Sequence, residues 1–242
     1  MTEQHTVKAF DTDLQELARM VAEMGGLAEK QVADAVDALA RRDTALAQRV
    51  TASDMNIDAL QREIEEKSVL TIARRQPVAS DLREVVGALR LSNDLERIGD
   101  LAKNIAKRVI ALNGEFPPPK LIRGVEHMTD LLLGQLKAVL NAYARRSVPE
   151  AMAVWRGDEE IDAVCTSVFR ELLTYMMEDP RNITFCIHLL FCAKNIERMG
   201  DHATNIAEAV HYLVRGENLA EERAKGDTSS LTVMEEKTPA KV

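Results

Sequence analysis

The sequence predicts an all-α protein built from two tandem three-helix bundles, and three observations support this. Apolar residues make up 46% of the 242 residues but aromatic residues only 4%, a composition that suits helix packing better than a β-sandwich. Apolar residues recur at steps of three and four along most of the chain. The second half of the sequence also repeats the pattern of the first. We therefore expect six long helices in two homologous, pseudo-symmetric units.

The first unit, residues 1–115, is expected to hold three helices. The apolar periodicity places them at about 7–42, 44–75 and 80–112, with Asp43 and Thr44 offering a cap for the second helix. Pro77 separates the second helix from the third, because proline has no backbone N–H and clashes with the preceding turn.

The second unit, residues 120–216, repeats this arrangement. Its helices are expected at about 121–146 and 147–178, followed by one that ends near residue 215. Ser147 with Pro149 is expected to start the second of them. Asp179 and the proline after it are expected to cap this last helix.

Two further segments are not expected to be helical. Residues 113–119 read Asn-Gly-Glu-Phe-Pro-Pro-Pro, and three consecutive prolines favour a stiff extended connector between the two units. Residues 217–242 are polar and almost without periodicity, which predicts a disordered C-terminal tail.

One short stretch occurs twice. Residues 94–106 read Asp-Leu-Glu-Arg-Ile-Gly-Asp-Leu-Ala-Lys-Asn-Ile-Ala, and residues 195–207 read Asn-Ile-Glu-Arg-Met-Gly-Asp-His-Ala-Thr-Asn-Ile-Ala. The two copies are 101 positions apart, and the helix before each copy aligns at an offset of 104. The repetition indicates that both halves carry the same site.

Each copy carries two carboxylates four residues apart. On a helical wheel, the apolar residues of each copy form a seam with alternating steps of four and three, and the carboxylates lie on the opposite side. The sequence therefore predicts an outward-facing ridge in each half, formed by Glu96 and Asp100 and by Glu197 and Asp201.

The residues of this ridge point to a bound metal ion. Carboxylates at i and i+4 repel by a few tenths of a kcal/mol in a helix, and a bound cation would remove that repulsion. Gly99 and Gly200 lie inside the two pairs, where glycine costs about 1 kcal/mol relative to alanine but lets another group approach the backbone closely. We therefore predict that Glu96, Asp100, Glu197 and Asp201 ligate metal.

Other oxygen donors are secondary candidates for the same metal. Four aspartates on the preceding helices would lean toward the ridges if the helices of each unit are neighbours. One asparagine in each copy adds an amide oxygen. These secondary candidates are Asp54, Asp58, Asp158, Asp162, Asn104 and Asn205. Oxygen donors favour Mg, Mn, Ca or Fe over metals that prefer thiolate ligands, and zinc is a further candidate. His202 occurs only in the second copy, so the two sites need not be equivalent.

Net charge, apolar runs, cysteine spacing and the lack of catalytic motifs argue against several other classes of function. The net charge of −8 is unsuited to sequence-independent nucleic-acid binding. No apolar run is long enough to span a membrane, and three scattered cysteines favour a reduced, cytosolic protein. No phosphate loop or nucleophile motif stands out, so we expect no enzyme. A carboxylate-bridged oxidase is argued against because its ligands would face the bundle interior.

Both signature copies, and the stretch Gln-Pro-Val-Ala-Ser-Asp-Leu-Arg at 76–83, resemble the PhoU family of phosphate-specific transport system accessory proteins. The resemblance covers about residues 5–215. It implies a cytoplasmic homodimer that negatively regulates the bacterial phosphate-starvation response. Its partners would be the sensor histidine kinase and the ATPase subunit of the phosphate ABC transporter, which would recruit it to the inner membrane face. It also implies metal ligation by the four signature carboxylates. The alternative is a metal-independent helical scaffold that docks basic partner surfaces.

Overall fold

The computed structural model describes residues 2–112 and 119–220, and it describes side chains at 10–112 and 120–220. Over these residues the chain forms six α-helices and no strand, which confirms the predicted fold class. The helices are α1 Thr2–Arg41, α2 Thr44–Arg75, α3 Ala79–Leu112, α4 Pro119–Arg145, α5 Val148–Glu178 and α6 Ile183–Arg215. The predicted connector, apart from its last residue, and the tail from residue 221 onward lie outside the described residues.

Equivalent caps begin the second helix of each half. Asp43 caps α2 by accepting a hydrogen bond from the backbone N–H of Leu46 at 2.8 Å. Ser147 caps α5 by accepting from the backbone N–H of Glu150 at 3.4 Å. Both caps satisfy a backbone donor that has no partner within the helix, and both were expected from the sequence.

The start of α6 differs from the prediction. Asp179 accepts from the backbone N–H of Arg181 at 2.9 Å, but this bond caps a 3₁₀ turn at Pro180–Asn182 rather than α6 itself. α6 begins only at Ile183, after that turn. The proline favours a tight first turn with its fixed φ, and the chain enters α6 from there.

The two halves share one hydrophobic core. Buried apolar residues of all six helices belong to a single continuous cluster. The predicted seams of α3 and α6 are buried along their whole length and lie at its centre. Among the described residues, α2 and α5 contact only α-helices of their own half, whereas α3 packs against α6 and α1 against α4. α2 and α5 are therefore outer helices, each held by its own half.

Contacts across the centre show that α3 and α6 run antiparallel. The Arg90 guanidinium lies 4.7 Å from the ring centroid of Tyr212, and that of Arg108 lies 4.0 Å from the ring centroid of Phe191. Early residues of α3 thus meet late residues of α6, and the reverse holds at the other end. No helix within the described residues is both long and apolar enough to cross a membrane.

The paired caps give a test of the repeat. Replacing Asp43 with alanine should lower the free energy of unfolding by about 1 kcal/mol, because the N–H of Leu46 loses its acceptor. Ser147→Ala should cost less, because its bond is longer. Urea denaturation measures both changes. Ser53→Ala, at an exposed position within α2, serves as the control and should change stability by less than about 0.5 kcal/mol. A change in Asp43→Ala no larger than the control's would contradict the assignment of the cap.

Candidate cation-binding site

The glycine of each signature marks the place where two helices touch. A methyl group on Gly99 of α3 would lie 2.9 Å from Cδ1 of Ile57 on α2. One on Gly200 of α6 would lie 2.9 Å from an Oδ1 of Asp158 on α5. Both distances are shorter than van der Waals contact, so a larger residue at either position would force the side chain of the neighbouring helix to move. The expected close approach at the glycine is confirmed, but the approaching group is the neighbouring helix.

The predicted outward orientation of the ridge is wrong for its two glutamates, whereas Asp100 and Asp201 are half-buried. Glu197 is only 9% exposed, and Asp54, Asp158 and Asp162 are each 4% exposed. Glu96 is partly buried as well. The helical wheel counted only the core seam of each signature helix. α3 is covered on three sides, by α1, α2 and α6. The face of α3 that carries the carboxylates therefore lies against α2 rather than solvent.

The carboxylates of the two helices come together in the first half, and in the second half Asp158 of α5 meets the signature helix. We call Asp54, Asp58, Glu96 and Asp100 the first carboxylate cluster, and Asp158, Asp162, Glu197 and Asp201 the second. Asp54 shares a lysine partner with Asp100, and the charge of Asp58 acts on Glu96. Asp158 lies against Gly200 in the second half. The expectation that the aspartates of α2 and α5 lean toward the signatures is confirmed for Asp54, Asp58 and Asp158.

A lysine bridges the first carboxylate cluster. The ammonium of Lys103 on α3 donates to Asp54 on α2 and, at 2.7 Å, to Asp100 on its own helix. Gln31 of α1 donates to the other oxygen of Asp54 at 2.9 Å and to the carbonyl oxygen of Gly99 at 3.2 Å. The cluster thus holds a positive charge between two helices, as acidic groups in a partly buried space require.

The pKa values follow from this arrangement. Burial raises the pKa of Glu96, and the neighbouring charges of Asp100 and Asp58 raise it further, although Arg97 opposes them. Burial also acts to raise the pKa of Asp100, but hydrogen bonds and charge from Lys103 outweigh it and lower that pKa overall. Burial opposes the charge of Lys103, yet its two carboxylate partners raise its pKa above the usual range. Lys103 therefore stays protonated at neutral pH.

The residues beside the second carboxylate cluster differ from those beside the first. Thr204 takes the position of Lys103, and its hydroxyl donates to the backbone carbonyl oxygen of Asp201 at 2.7 Å. Lys194, on the same helix as Glu197, lies 3.2 Å from its carboxylate and has no basic counterpart in the first half. The two clusters thus share their four carboxylates, while the position of Lys103 is held by a threonine in the second half.

His202 and the two asparagines do not join the clusters. The Nδ1 of His202 lies 2.9 Å from Oδ1 of Asp94 on α3, and Asn205 donates to that same oxygen at 3.3 Å. These groups link the two halves across the centre. Asn104 is exposed. Neither secondary asparagine is thus placed as a cluster ligand by the contacts that the structure shows.

The burial of the carboxylates removes one argument against an oxidase, namely that its ligands would face outward. Glu208 and His211 have the Glu-x-x-His spacing of di-iron bundles. However, Glu208 accepts a hydrogen bond from the indole N–H of Trp155 at 2.9 Å, and His211 lies 3.2 Å from the backbone oxygen of Glu217. This pair therefore has structural contacts away from both carboxylate clusters.

The contacts of Lys103 and Gln31 at the first carboxylate cluster were not predicted, although the sequence carries a signal for each. Lys103 is a mismatch between the copies, since Thr204 stands at the equivalent position. Gln31 and Gln135 are 104 positions apart, which is the offset that relates Asp54 to Asp158, and Gln135 donates to the backbone oxygen of Gly157 at 2.8 Å. Following both matches and mismatches along the repeat would have found these residues.

The donor set fits a hard cation, although the side chains do not form a closed metal site as they stand. Within the described side chains, no group of three or more histidine, cysteine, aspartate or glutamate residues is arranged to hold a metal ion. Two ionised carboxylates repel one another, and they approach closely only when a cation or a shared proton offsets that repulsion. The Lys103 ammonium, held by carboxylates of two helices, is such a cation in the first half. Ligation by the predicted residues therefore stays a prediction that requires side-chain movement.

The fold and the two clusters together define a class: an α-helical tandem-repeat protein that carries a carboxylate-rich signature on the central helix of each half. A profile described as the PhoU domain matches residues 21–109 and 125–210. The chain therefore belongs to the PhoU family.

Named relatives agree with this family. The phosphate-specific transport system accessory protein PhoU homolog of Rhizobium meliloti (strain 1021) is 58% identical over 230 residues, which cover 95% of this chain and 97% of the relative. The crystal structure of PhoU from Pseudomonas aeruginosa has a TM-score of 0.82 and 42% identity, covering 86% of this chain and all of that one. The phosphate transport system regulatory protein PhoU from Streptococcus pneumoniae has a TM-score of 0.81 and 29% identity, covering 88% of this chain and all of that one.

The glycine contact predicts an unusual mutational result. Alanine is the better helix former, so Gly26→Ala, in α1 where a methyl group meets nothing within 4 Å, should stabilise the protein by up to about 1 kcal/mol. Gly99→Ala should instead destabilise it by about 1–3 kcal/mol, because the methyl group overlaps buried Ile57. Thermal and urea unfolding compare the two variants. Equal stabilisation by both would show that α2 and α3 are not in close contact at Gly99.

Proposed function

We propose that this protein is an accessory regulator of a phosphate transport system. Membership of the PhoU family supports this, as do the names of its relatives, which describe an accessory protein and a regulatory protein of such systems. The finer proposal is negative regulation of the phosphate-starvation response. A cytoplasmic homodimer would be recruited to the inner face of the membrane, where it couples the ATPase subunit of the phosphate ABC transporter to the sensor histidine kinase. The role is regulatory rather than catalytic.

Metal binding is the chemical part of this proposal. The observation that carries it is the Lys103 ammonium held between Asp54 of one helix and Asp100 of another, which marks the contact as a site for positive charge. The residues that would hold a metal ion are the carboxylates of the two clusters. When bound, the ion supplies positive charge that offsets their mutual repulsion. Oxygen donors favour Mg, Mn or Fe, and zinc is a further candidate for the bound ion.

The residues themselves suggest how such a site serves an adaptor. Each cluster ties an outer helix, α2 or α5, to a central one, since these outer helices contact only α-helices of their own half among the described residues. Neutralised carboxylates let the outer helix pack firmly, and the surface it presents is then available to a partner. The alternative is a metal-independent scaffold. It is favoured by the same Lys103 contact, since a lysine can neutralise a cluster without any metal.

Replacing the glutamate of both signatures tests the proposal. The double variant Glu96→Gln and Glu197→Gln keeps the size of both side chains but removes one negative charge from each cluster. Protein purified without chelator should contain less metal by elemental analysis. Its affinity for the kinase and for the ATPase subunit should fall about tenfold, which is equivalent to roughly 1.4 kcal/mol.

Matched controls separate the alternatives. Glu63→Gln with Glu171→Gln removes the same charge from exposed positions of α2 and α5 and should change neither metal content nor affinity. If wild-type protein keeps its partner affinity in the presence of chelator, the metal-independent scaffold is correct. If neither partner binds wild-type protein under any condition, the proposed partners are wrong.

A further inference from the structure

Large apolar side chains that are exposed cluster at two turns of the molecule. Of the ten found among the described residues, eight lie in two stretches of equal length, 69–83 around the α2–α3 turn and 177–191 around the α5–α6 turn. Because α3 and α6 run antiparallel, these two turns lie at opposite ends of the bundle. Exposed apolar residues that are scattered singly are ordinary, but grouped ones mark contact surfaces.

The first of these stretches combines apolar side chains with arginines. A methyl group on Gly216, just after α6, would lie 3.4 Å from Cζ of Arg83, so the end of α6 lies beside the α2–α3 turn. We use the name α2–α3 tip for the exposed aliphatic residues Val69, Leu70, Val78 and Leu82 and the nearby arginines Arg74, Arg83 and Arg215.

The three arginines of the tip are available to a negatively charged surface. Within the described side chains none of them forms an ion pair with a carboxylate, and the Nε of Arg83 is buried without a hydrogen-bond partner. The neighbouring Arg75, in contrast, is paired with Asp13 of α1 at 3.1 Å. Of the carboxylates beside the tip, Glu84 is paired with an arginine that follows α4, and Asp81 accepts a hydrogen bond from the adjacent serine at 3.3 Å.

The equivalent turn of the second half is apolar but lacks this positive charge. Residues 69–83 include three arginines and one aspartate, a net charge of +2, whereas residues 177–191 include one arginine and two acidic residues, a net charge of −1. The arginine of the second turn, Arg181, is also held by Asp179 through side-chain hydrogen bonds of 2.6 Å to 3.0 Å. Of the two turns, the α2–α3 tip is therefore the one suited to an anionic surface.

The backbone of the α2–α3 turn fixes its most exposed residue in an outward position. Val78 is 73% exposed, and it lies between Gln76 and Ala79, whose φ angles are 49° and 47°. Residues other than glycine rarely adopt this left-handed conformation, because the Cβ atom then crowds the backbone. Such strain is concentrated at functional positions. Pro77 stiffens the turn further, so Val78 is presented as a fixed apolar projection.

We infer that the α2–α3 tip binds directly to an anionic lipid membrane. The aliphatic side chains enter the boundary between headgroups and acyl chains, and the three arginines contact lipid phosphates. A lipid surface is favoured over a protein because residues 69–83 contain no aromatic side chain, whereas the energetic centres of protein interfaces are enriched in tryptophan and tyrosine. The tip also lies at an end of the bundle, where it can meet a flat surface.

The charge of the whole protein makes this contact directional. At a net charge of −8 the rest of the surface is repelled by anionic headgroups, and attraction acts only within a Debye length of about 8 Å around the tip. The protein therefore meets the membrane with the α2–α3 turn toward the lipid and the α5–α6 turn away from it. This goes beyond the proposed function, in which protein partners bring the chain to the membrane.

Sedimentation with lipid vesicles tests the inference. Full-length protein is mixed with vesicles made of equal parts of phosphatidylglycerol and phosphatidylcholine, or of phosphatidylcholine alone. Wild-type protein should bind the anionic vesicles at low salt and bind the neutral ones about tenfold more weakly or less. Raising the NaCl concentration should weaken binding to the anionic vesicles, because salt screens the arginines.

A matched pair of aspartate substitutions tests the apolar part of the tip. Val78→Asp should weaken binding to the anionic vesicles by about tenfold or more, because a charged side chain replaces the one that enters the lipid. Met55→Asp is the control, since Met55 is 68% exposed on the same α2 helix but far from the turn. It adds the same charge and should change binding by less than about twofold. Circular dichroism checks that both variants fold.

A second pair tests the charged part of the tip. Arg74→Gln combined with Arg215→Gln should weaken binding to the anionic vesicles by about tenfold or more, since each arginine near such a surface contributes about fivefold. Arg49→Gln combined with Arg170→Gln removes the same charge from exposed positions of α2 and α5 away from the tip, and should have little effect.

The outcomes keep this inference apart from the proposed function. If wild-type protein does not sediment with anionic vesicles, or if the tip variants bind as their controls do, direct lipid binding by the tip is overturned while regulation through protein partners stands. If the tip variants keep vesicle binding but lose affinity for the kinase or the ATPase subunit in lipid-free solution, the tip is a protein-docking surface and the lipid inference is wrong. Failure of wild-type protein to bind either partner overturns the proposed function and leaves the vesicle result intact.

Discussion

In each half of the protein, carboxylates from two adjacent helices share one partly buried space beside a glycine. Gly99 lets α2 approach α3, and Gly200 lets α5 approach α6, so closely that an added methyl group would overlap the neighbouring helix. Like charges at such a contact push the helices apart unless a cation lies among them. The packing of each outer helix therefore depends on where positive charge is placed.

The architecture explains why this contact can matter to the whole molecule. α3 and α6 lie at the centre of a single core, and each bears a signature on the flank that faces its outer helix. A change in charge at a cluster acts between an outer helix and the centre, not on a solvated surface. Asp94 and His202 join the two central helices across the same region, so the halves are linked by polar as well as apolar contacts.

Much of this arrangement could be predicted from residue patterns. The step of three and four residues and the caps Asp43 and Ser147 placed the helices, because those signals act within a single helix. The repeat offsets identified Glu96, Asp100, Glu197 and Asp201 together with the aspartates of α2 and α5. The outward orientation was wrong, because a helical wheel shows one seam and cannot show that a second neighbour covers another face.

The sequence by itself determined the six helices, their pairing into repeats and the residues that carry charge, since these depend on local periodicity and on residue identity. Only the tertiary structure decided which group lies between the carboxylates. Lys103 reaches Asp54 across 49 positions of the chain, and that contact exists because α2 packs against α3 at Gly99. Burial and electrostatic pairing depend on distances between helices, and those distances follow from how the helices pack rather than from spacing along the sequence.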